Sequence, residues 1–388
     1  MPASIEIHGD CHPKLARVKD AFAKEFADGN ELGAGVALTL GGELVVDLWG
    51  GHQDSARTQP FERDTLVNVY STTKGITAIA LHRLIDEGKV DLDAPVARYW
   101  PEFAQAGKAD LPVRYLLSHE AGLAAVKKPL PQDALFDWNT MTDALAAQEP
   151  WWKPGTAHGY HALTFGWLNG EIVRRVRGKK IGDVVREEIA RPLGATFEIG
   201  FGPELDARVA NLVPGPVHPA SGPIDFDLFK LIAENPESLI AKAFANPPVA
   251  SANSRAWRAA EIPGANGHSN AHSLARIYAP LANGGEAFGV RLLSNAAIER
   301  ARTQQVDGKD EVLPLPTRIA LGFFMPSASE PLGPNPRAFG HGGMGGSYSH
   351  ADPENRLSFG YAMNLMHTGA WLVDPRPRRL LAAAYASL

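Results

Sequence analysis

Two apolar runs near the start of the chain, residues 34–40 and 43–49, are separated only by Gly41-Gly42. Glycine readily takes the positive φ angles of a two-residue hairpin turn, so the runs read as paired antiparallel strands. Both are rich in Val and Leu, which places them well inside a sheet. An isolated hairpin is marginal in water and needs further strands. The stretches that can supply them lie far along the chain, at 318–325, 346–352 and 357–364, with Pro353-Glu354-Asn355 joining the last two. Most of the chain between has helical patterning. The expected class is therefore α+β: one antiparallel sheet built from both ends, flanked by helices, with a helical lobe inserted between.

The helical stretches follow from periodicity and punctuation. Residues 13–28 carry Leu15, Val18, Phe22 and Phe26 at spacings of three and four among charged residues. The run after Ser71 is apolar on most sides and ends near Glu87-Gly88, so it is expected to be buried between two lobes. Further helices are expected near 112–117, 137–148, 163–177, 181–190, 271–283 and 375–386, and a short strand near 197–200. Residues 203–263 are rich in proline. They read as a long excursion with short helices, anchored by Phe226, Leu228, Phe229, Phe244 and Trp257, and forming a wall of the site. The expected division is a sheet-bearing domain of residues 1–87 and 163–388, an inserted, mostly helical domain of 88–162, and an active site between them.

Composition removes several function classes. The net charge of −5 gives no support to a nucleic-acid partner. Cys11 is the single cysteine, which excludes an intrachain disulfide and a cysteine zinc cluster. The start of the chain lacks a basic region followed by an apolar core, and no uncharged run reaches transmembrane length. A cytoplasmic protein without membrane contact is expected. Scattered His, Asp and Glu show no metal-ligand spacing, and no phosphate-binding loop is present.

Chemistry concentrates at Tyr70-Ser71-Thr72-Thr73-Lys74, where the buried helix begins. Positions i and i+3 share a helical face, so the Lys74 amine can lie beside the Ser71 hydroxyl. A serine at a helix start also sits where backbone N–H groups can stabilise a developing oxyanion. The competing reading makes Ser71 an ordinary N-cap and Lys74 a solvated first-turn residue. A second candidate serine is Ser269 in Gly267-His268-Ser269-Asn270-Ala271, which approaches the G-x-S-x-G elbow. Its preceding stretch is a poor strand and alanine replaces the last glycine, so Ser71 is preferred.

Three further motifs follow Ser71 in order: Leu116-Leu117-Ser118-His119-Glu120-Ala121-Gly122, Trp152-Lys153-Pro154-Gly155 leading to Tyr160, and His341-Gly342-Gly343. Together they resemble the serine hydrolases related to class C β-lactamases and D,D-peptidases, and most of all the family VIII carboxylesterases. The resemblance covers nearly the whole chain and implies a β-lactamase/D,D-peptidase-like fold. It implies Ser71 as nucleophile, Lys74 as its basic or cationic neighbour, and Tyr160 as general base with a phenolate favoured by the ammonium. It implies an oxyanion hole from the N–H groups of Ser71 and Met344, and no metal or organic cofactor. His341, Gly342, Gly343, Met344, His161 and Trp152 are expected to contact substrate, and His119 to bond backbone near a helix end.

Two departures narrow the substrate. The chain has Tyr160-His161-Ala162 where β-lactamases carry tyrosine and, two positions on, asparagine. It has His341-Gly342-Gly343 where they carry lysine, threonine, glycine. The missing cation and hydroxyl would help hold a carboxylate. A small, neutral, short-chain acyl ester is the expected substrate. The alternatives are a β-lactamase, a D-aminoacyl peptidase or transacylase, or a sensor that acylates at Ser71 and stalls.

Overall fold

Gly41 and Gly42 have φ of 60° and 88°, and they join strand Gly33–Leu40 to strand Glu43–Gly51 as the glycine pair predicts. The computed structural model describes residues 5–217, 228–249, 251–327, 333–368 and 372–388. The hairpin's sheet partner comes from the far end of the chain. Strand Leu357–Met363 runs antiparallel to Gly33–Leu40, with Phe359 opposite Leu38 and Tyr361 opposite Val36. Tyr348–Asp352 and then Phe339–Gly342 continue the sheet to one edge, and Ile7–Cys11 closes the other beside Glu43–Gly51. All neighbouring strands of this six-stranded sheet are antiparallel.

Strand alternation sends side chains to two different layers. Val36, Leu38, Val46, Leu48, Phe359 and Tyr361 face helices Ala16–Ala27 and Pro375–Tyr385, against Phe22, Leu380 and Leu381. On the other side lies helix Ala271–Ala282, brought close because Gly360 has no side chain. A Cβ there would sit 2.4 Å from the Ala271 carbonyl oxygen. Beyond it, helix Thr72–Asp86 is buried on nearly every side and packs with helix Thr164–Arg177 in the larger core. Among the described residues, no helix is long and apolar enough to cross a membrane.

Several elements depart from the sequence reading in detail. The edge strand Ile7–Cys11 lacks apolar alternation and goes unpredicted, and Phe339–Gly342 forms a strand separate from Tyr348–Asp352. The strand expected at 318–325 is Pro316–Ile319, paired with Val306–Lys309. The chain then turns at Gly322, whose φ is 88° and whose N–H donates to the Leu117 carbonyl at 2.9 Å. The excursion holds helices Leu228–Glu234, Leu239–Ala245 and Arg255–Ala259, and Leu228, Phe229 and Phe244 do line a cleft. Phe226 lies outside the described residues.

The contact of Gly75 with Tyr278 sets how closely the Thr72–Asp86 helix approaches the sheet layer. A Cβ at Gly75 would lie 2.0 Å from the Tyr278 hydroxyl. That hydroxyl is buried and has no hydrogen-bond partner among the described residues. An unpaired buried hydroxyl costs about 1–3 kcal/mol. Tyr278→Phe is therefore expected to leave stability unchanged or raise it. Gly75→Ala is expected to cost about 1–3 kcal/mol by overpacking, and less in the Tyr278→Phe background. Denaturant midpoints of the two single variants and the double variant measure this. A clear loss of stability in Tyr278→Phe alone would contradict the packing described.

Candidate active site

Ser71 stands at an abrupt change of direction. Strand Val67–Asn68 pairs with His268–Ser269, and Val69 N–H donates to the Gly267 carbonyl at 2.8 Å. Tyr70 then takes φ +40°, a region that bulky residues rarely occupy. The turn projects Ser71 from the head of helix Thr72–Asp86. Its hydroxyl makes no capping bond, which removes the N-cap reading. Instead it lies 2.9 Å from Lys74 Nζ, as the i, i+3 spacing requires.

Lys74 has no solvent exposure. Its Nζ lies 2.7 Å from the Ala162 carbonyl oxygen and 2.7 Å from that of Gly264. Burial pushes its pKa well below the ordinary lysine value. A neutral amine has two N–H donors and one lone pair. With both donors taken by the two carbonyls, the lone pair faces the Ser71 hydroxyl.

Tyr160 completes this side. Lys74 Nζ lies 4.8 Å from the centre of its ring, and its hydroxyl interacts with the Ser71 side chain. Burial raises the phenol pKa above the ordinary value. The Ser71 contact opposes that rise, and the charge of Asp310 adds to it. Burial thus works against the phenolate that the resemblance implied. The Tyr160 N–H donates to Asp310 Oδ1 at 3.0 Å.

The opposite wall is the end of strand Phe339–Gly342 and the turn after it. Gly343 N–H donates to the Ser347 carbonyl at 2.8 Å, which leaves Met344 at the tip. Gly343 must be glycine here, since a Cβ would meet the Val69 carbonyl oxygen at 2.1 Å. Among the described residues, the N–H groups of Ser71 and Met344 have no acceptor within the protein. His341 donates through Nδ1–H to the Gly342 carbonyl at 2.7 Å, so its Nε2 carries a lone pair, and it has no partner among the described residues. Burial, with Lys74 acting in the same direction, lowers its pKa to about 3.

These groups share a cleft of about 110 Å³ with Leu228, Phe229, Phe244, Leu313, Phe324 and Leu372. Among the described residues, no group of three or more His, Cys, Asp or Glu side chains is placed to hold a metal ion.

The family model described as Beta-lactamase matches residues 18–384, nearly the whole chain. The chain belongs to the beta-lactamase family. It is 36% identical to the esterase/beta-lactamase LipL of Mycobacterium tuberculosis (strain ATCC 25618 / H37Rv) over 377 residues, covering 96% of this chain and 86% of the relative. A solved structure of a family VIII carboxylesterase superposes with TM-score 0.90 at 44% identity, over 99% of this chain and all of the other. A penicillin-binding protein homologue from Caulobacter crescentus gives TM-score 0.89 at 41% identity, with the same coverage.

Within this beta-lactamase-family site, Ser71, Lys74, Tyr160, His341, Gly342, Gly343 and Met344 are brought together. Two expected substrate contacts are not. His161 is fully buried and both ring nitrogens serve backbone: Nδ1–H donates to the Gly159 carbonyl at 2.7 Å, and Nε2 accepts from Leu123 N–H at 3.1 Å. Trp152 donates to the Ala157 carbonyl at 2.9 Å and packs edge-on against His161, away from the cleft. His119 accepts from His161 N–H at 3.0 Å just after helix Arg114–Leu117. Ser269 is buried in a strand pair and donates to the Thr196 carbonyl at 2.7 Å, so it faces no cleft. Asp310, Leu313, Phe324 and Leu372 went unnoticed in the sequence. Only Asp310 left a local signal, an acidic turn residue that accepts from the Val312 and Leu313 N–H groups at 2.8 Å each.

Gly343→Ala tests how closely this geometry is set. The added methyl has to displace either the turn or the Val69 carbonyl, and a shift of about 1 Å at such a site costs about 10²-fold in rate. A large fall in ester turnover with folding retained, read by circular dichroism, is expected. Full activity would show that the turn can move freely.

Proposed function

We propose that the protein is a serine carboxylesterase that hydrolyses short-chain acyl esters through an acyl-enzyme on Ser71. The observation that carries this reading is the Ser71 hydroxyl, 2.9 Å from a fully buried Lys74 amine, beside two backbone N–H groups without acceptors among the described residues. In this reading residues 88–162 form the inserted helical unit, and 1–87 with 163–388 form the sheet-bearing domain.

The Lys74/Tyr160 pair takes the Ser71 proton as Oγ attacks the ester carbonyl. The new Oγ–C bond forms, and the carbonyl electrons move onto oxygen. The N–H groups of Ser71 and Met344 hold that oxyanion. On collapse the C–O bond to the alcohol breaks, and the pair returns one proton to the departing alkoxide. Water then attacks the acyl-enzyme by the same route, releasing acid and restoring Ser71.

The cleft supports a neutral substrate. Among the described residues that line it, none is Lys or Arg, and Asp374 is the one carboxylate. Its small volume and apolar wall suit a short acyl group. Similarity to a family VIII carboxylesterase and to an enzyme named esterase/beta-lactamase supports ester chemistry. The second of these, with the family model, also supports the β-lactamase reading.

Rates for p-nitrophenyl acetate and butyrate against nitrocefin, on one preparation, test the proposal. Esters are expected to win. Ser71→Ala is expected to lose roughly 10⁶-fold, the scale seen for triad serines, and Tyr160→Phe at least about 10²-fold in kcat. Equal efficiency on nitrocefin would make this a β-lactamase. One equivalent of nitrophenol followed by arrest would make it a sensor. Because Lys74 has to be neutral to accept a proton, kcat/KM should fall as pH drops through its lowered pKa. Lys74→Arg, charged at all working pH, should be inactive throughout.

A further inference from the structure

The two free N–H groups at the cleft sit on segments distant in sequence, the 69–72 turn and the 343–347 turn. A buried pair of hydroxyls joins them. Ser347 Oγ donates its single proton to the Val69 carbonyl oxygen at 2.8 Å. It can therefore only accept from Thr72 Oγ1, which lies 3.0 Å away. The order is thus Thr72 to Ser347 to Val69; Thr72 Oγ1 also lies 3.4 Å from the His341 carbonyl oxygen, a longer second acceptor for its one proton. The Ser347 carbonyl in turn accepts the Gly343 N–H at 2.8 Å, closing the turn that carries Met344.

The relay is tightly enclosed. A Cβ at Gly343 would lie 2.1 Å from the Val69 oxygen, 2.3 Å from Ser347 Oγ and 3.0 Å from Thr72 Oγ1, so the turn's backbone lies directly against it. On the far side, Arg376 Nη2 donates to the Gly345 carbonyl at 2.7 Å. Thr72 is wholly buried and Ser347 nearly so, and neither lines the cleft.

We propose that Thr72 and Ser347 are positioning residues whose hydroxyl relay sets the separation of the Ser71 and Met344 N–H groups, and so determines how well the site holds a tetrahedral oxyanion. The proposal rests on Ser71 being the nucleophile. Neither residue touches substrate. Each acts by fixing donors that do.

The test uses full-length Ser347→Ala, Thr72→Val, their double variant and Thr72→Ser, with active enzyme counted by the burst of nitrophenol. Each of the first two should lower kcat on p-nitrophenyl butyrate about 10- to 100-fold, below the loss of a whole oxyanion donor, and leave KM nearly unchanged. Affinity for a short alkyl trifluoromethyl ketone, which forms a hemiketal anion on a serine, should fall in parallel with kcat. The double variant should be no worse than the weaker single one, because both break one relay. Thr72→Ser keeps the hydroxyl and should keep most activity. A merely structural role would lower the count of active enzyme and spare kcat per active site. Unchanged kcat, additive losses, or equal weakening of KM and ketone binding would each overturn the proposal. An active Ser71→Ala would overturn the underlying reading instead. An inactive one beside an unaffected Ser347→Ala would overturn only the relay.

Discussion

A primary amine without solvent contact is costly to bury, and Lys74 meets that cost with three oxygens: Ser71 Oγ and the carbonyls of Ala162 and Gly264. Those partners come from three separate stretches of chain, so the amine can be satisfied only when all three have docked. The Thr72–Asp86 helix must then be apolar nearly all round, because it is packed on almost every side. The same enclosure acts on the neighbouring groups. Burial raises the pKa of Tyr160 and lowers those of His119, His161 and His341. The chamber around Ser71 thus favours neutral groups, where a hydroxyl proton can move between partners without a resident charge to displace.

The sheet's task is to bring the far wall to this chamber. Strand Phe339–Gly342 is its last strand, and the turn beyond it must reach Ser71 with backbone rather than side chains. Below that turn, Arg376 is fully buried and donates to Glu31 Oε2 at 3.0 Å, to Asp374 Oδ1 at 2.9 Å and to the Gly345 carbonyl at 2.7 Å. The guanidinium fork suits this task, since one planar group can satisfy two carboxylates and a carbonyl at fixed angles. The first helical connection, the last helix and the Met344 turn are thereby tied to one point.

How much of this was legible depended on the range of the interaction. The Gly41-Gly42 hairpin and the Ser71–Lys74 contact are local and follow from turn and helix geometry. The meeting of Tyr160 with Ser71 is not local, and only the order of motifs pointed to it. The misplaced contacts are instructive. Tyr160 and His161 are consecutive, yet only Tyr160 lines the cleft. His161 is buried, and backbone groups take both its nitrogens. The edge strand Ile7–Cys11 was invisible because it has polar and glycine residues where alternation would be sought. Asp310 was readable as a turn residue, but its bond to Tyr160 N–H depends on two loops meeting.

His341 draws these threads together at the edge strand. Its Nδ1 proton is committed to the Gly342 carbonyl, so the nitrogen left over offers a lone pair and no proton. An acceptor of this kind repels a carboxylate, where a lysine ammonium would bind it. The Arg376 guanidinium beneath the turn is already committed to Glu31 and Asp374, and the Lys74 amine is held by Ser71 and two backbone carbonyls. An acidic substrate would therefore have to shed its water and receive no cation in exchange, a loss that apolar contacts with Leu313, Phe324 and Leu372 cannot offset. In the proposed reading a neutral acyl group faces no such penalty, and the same apolar wall contributes to its binding.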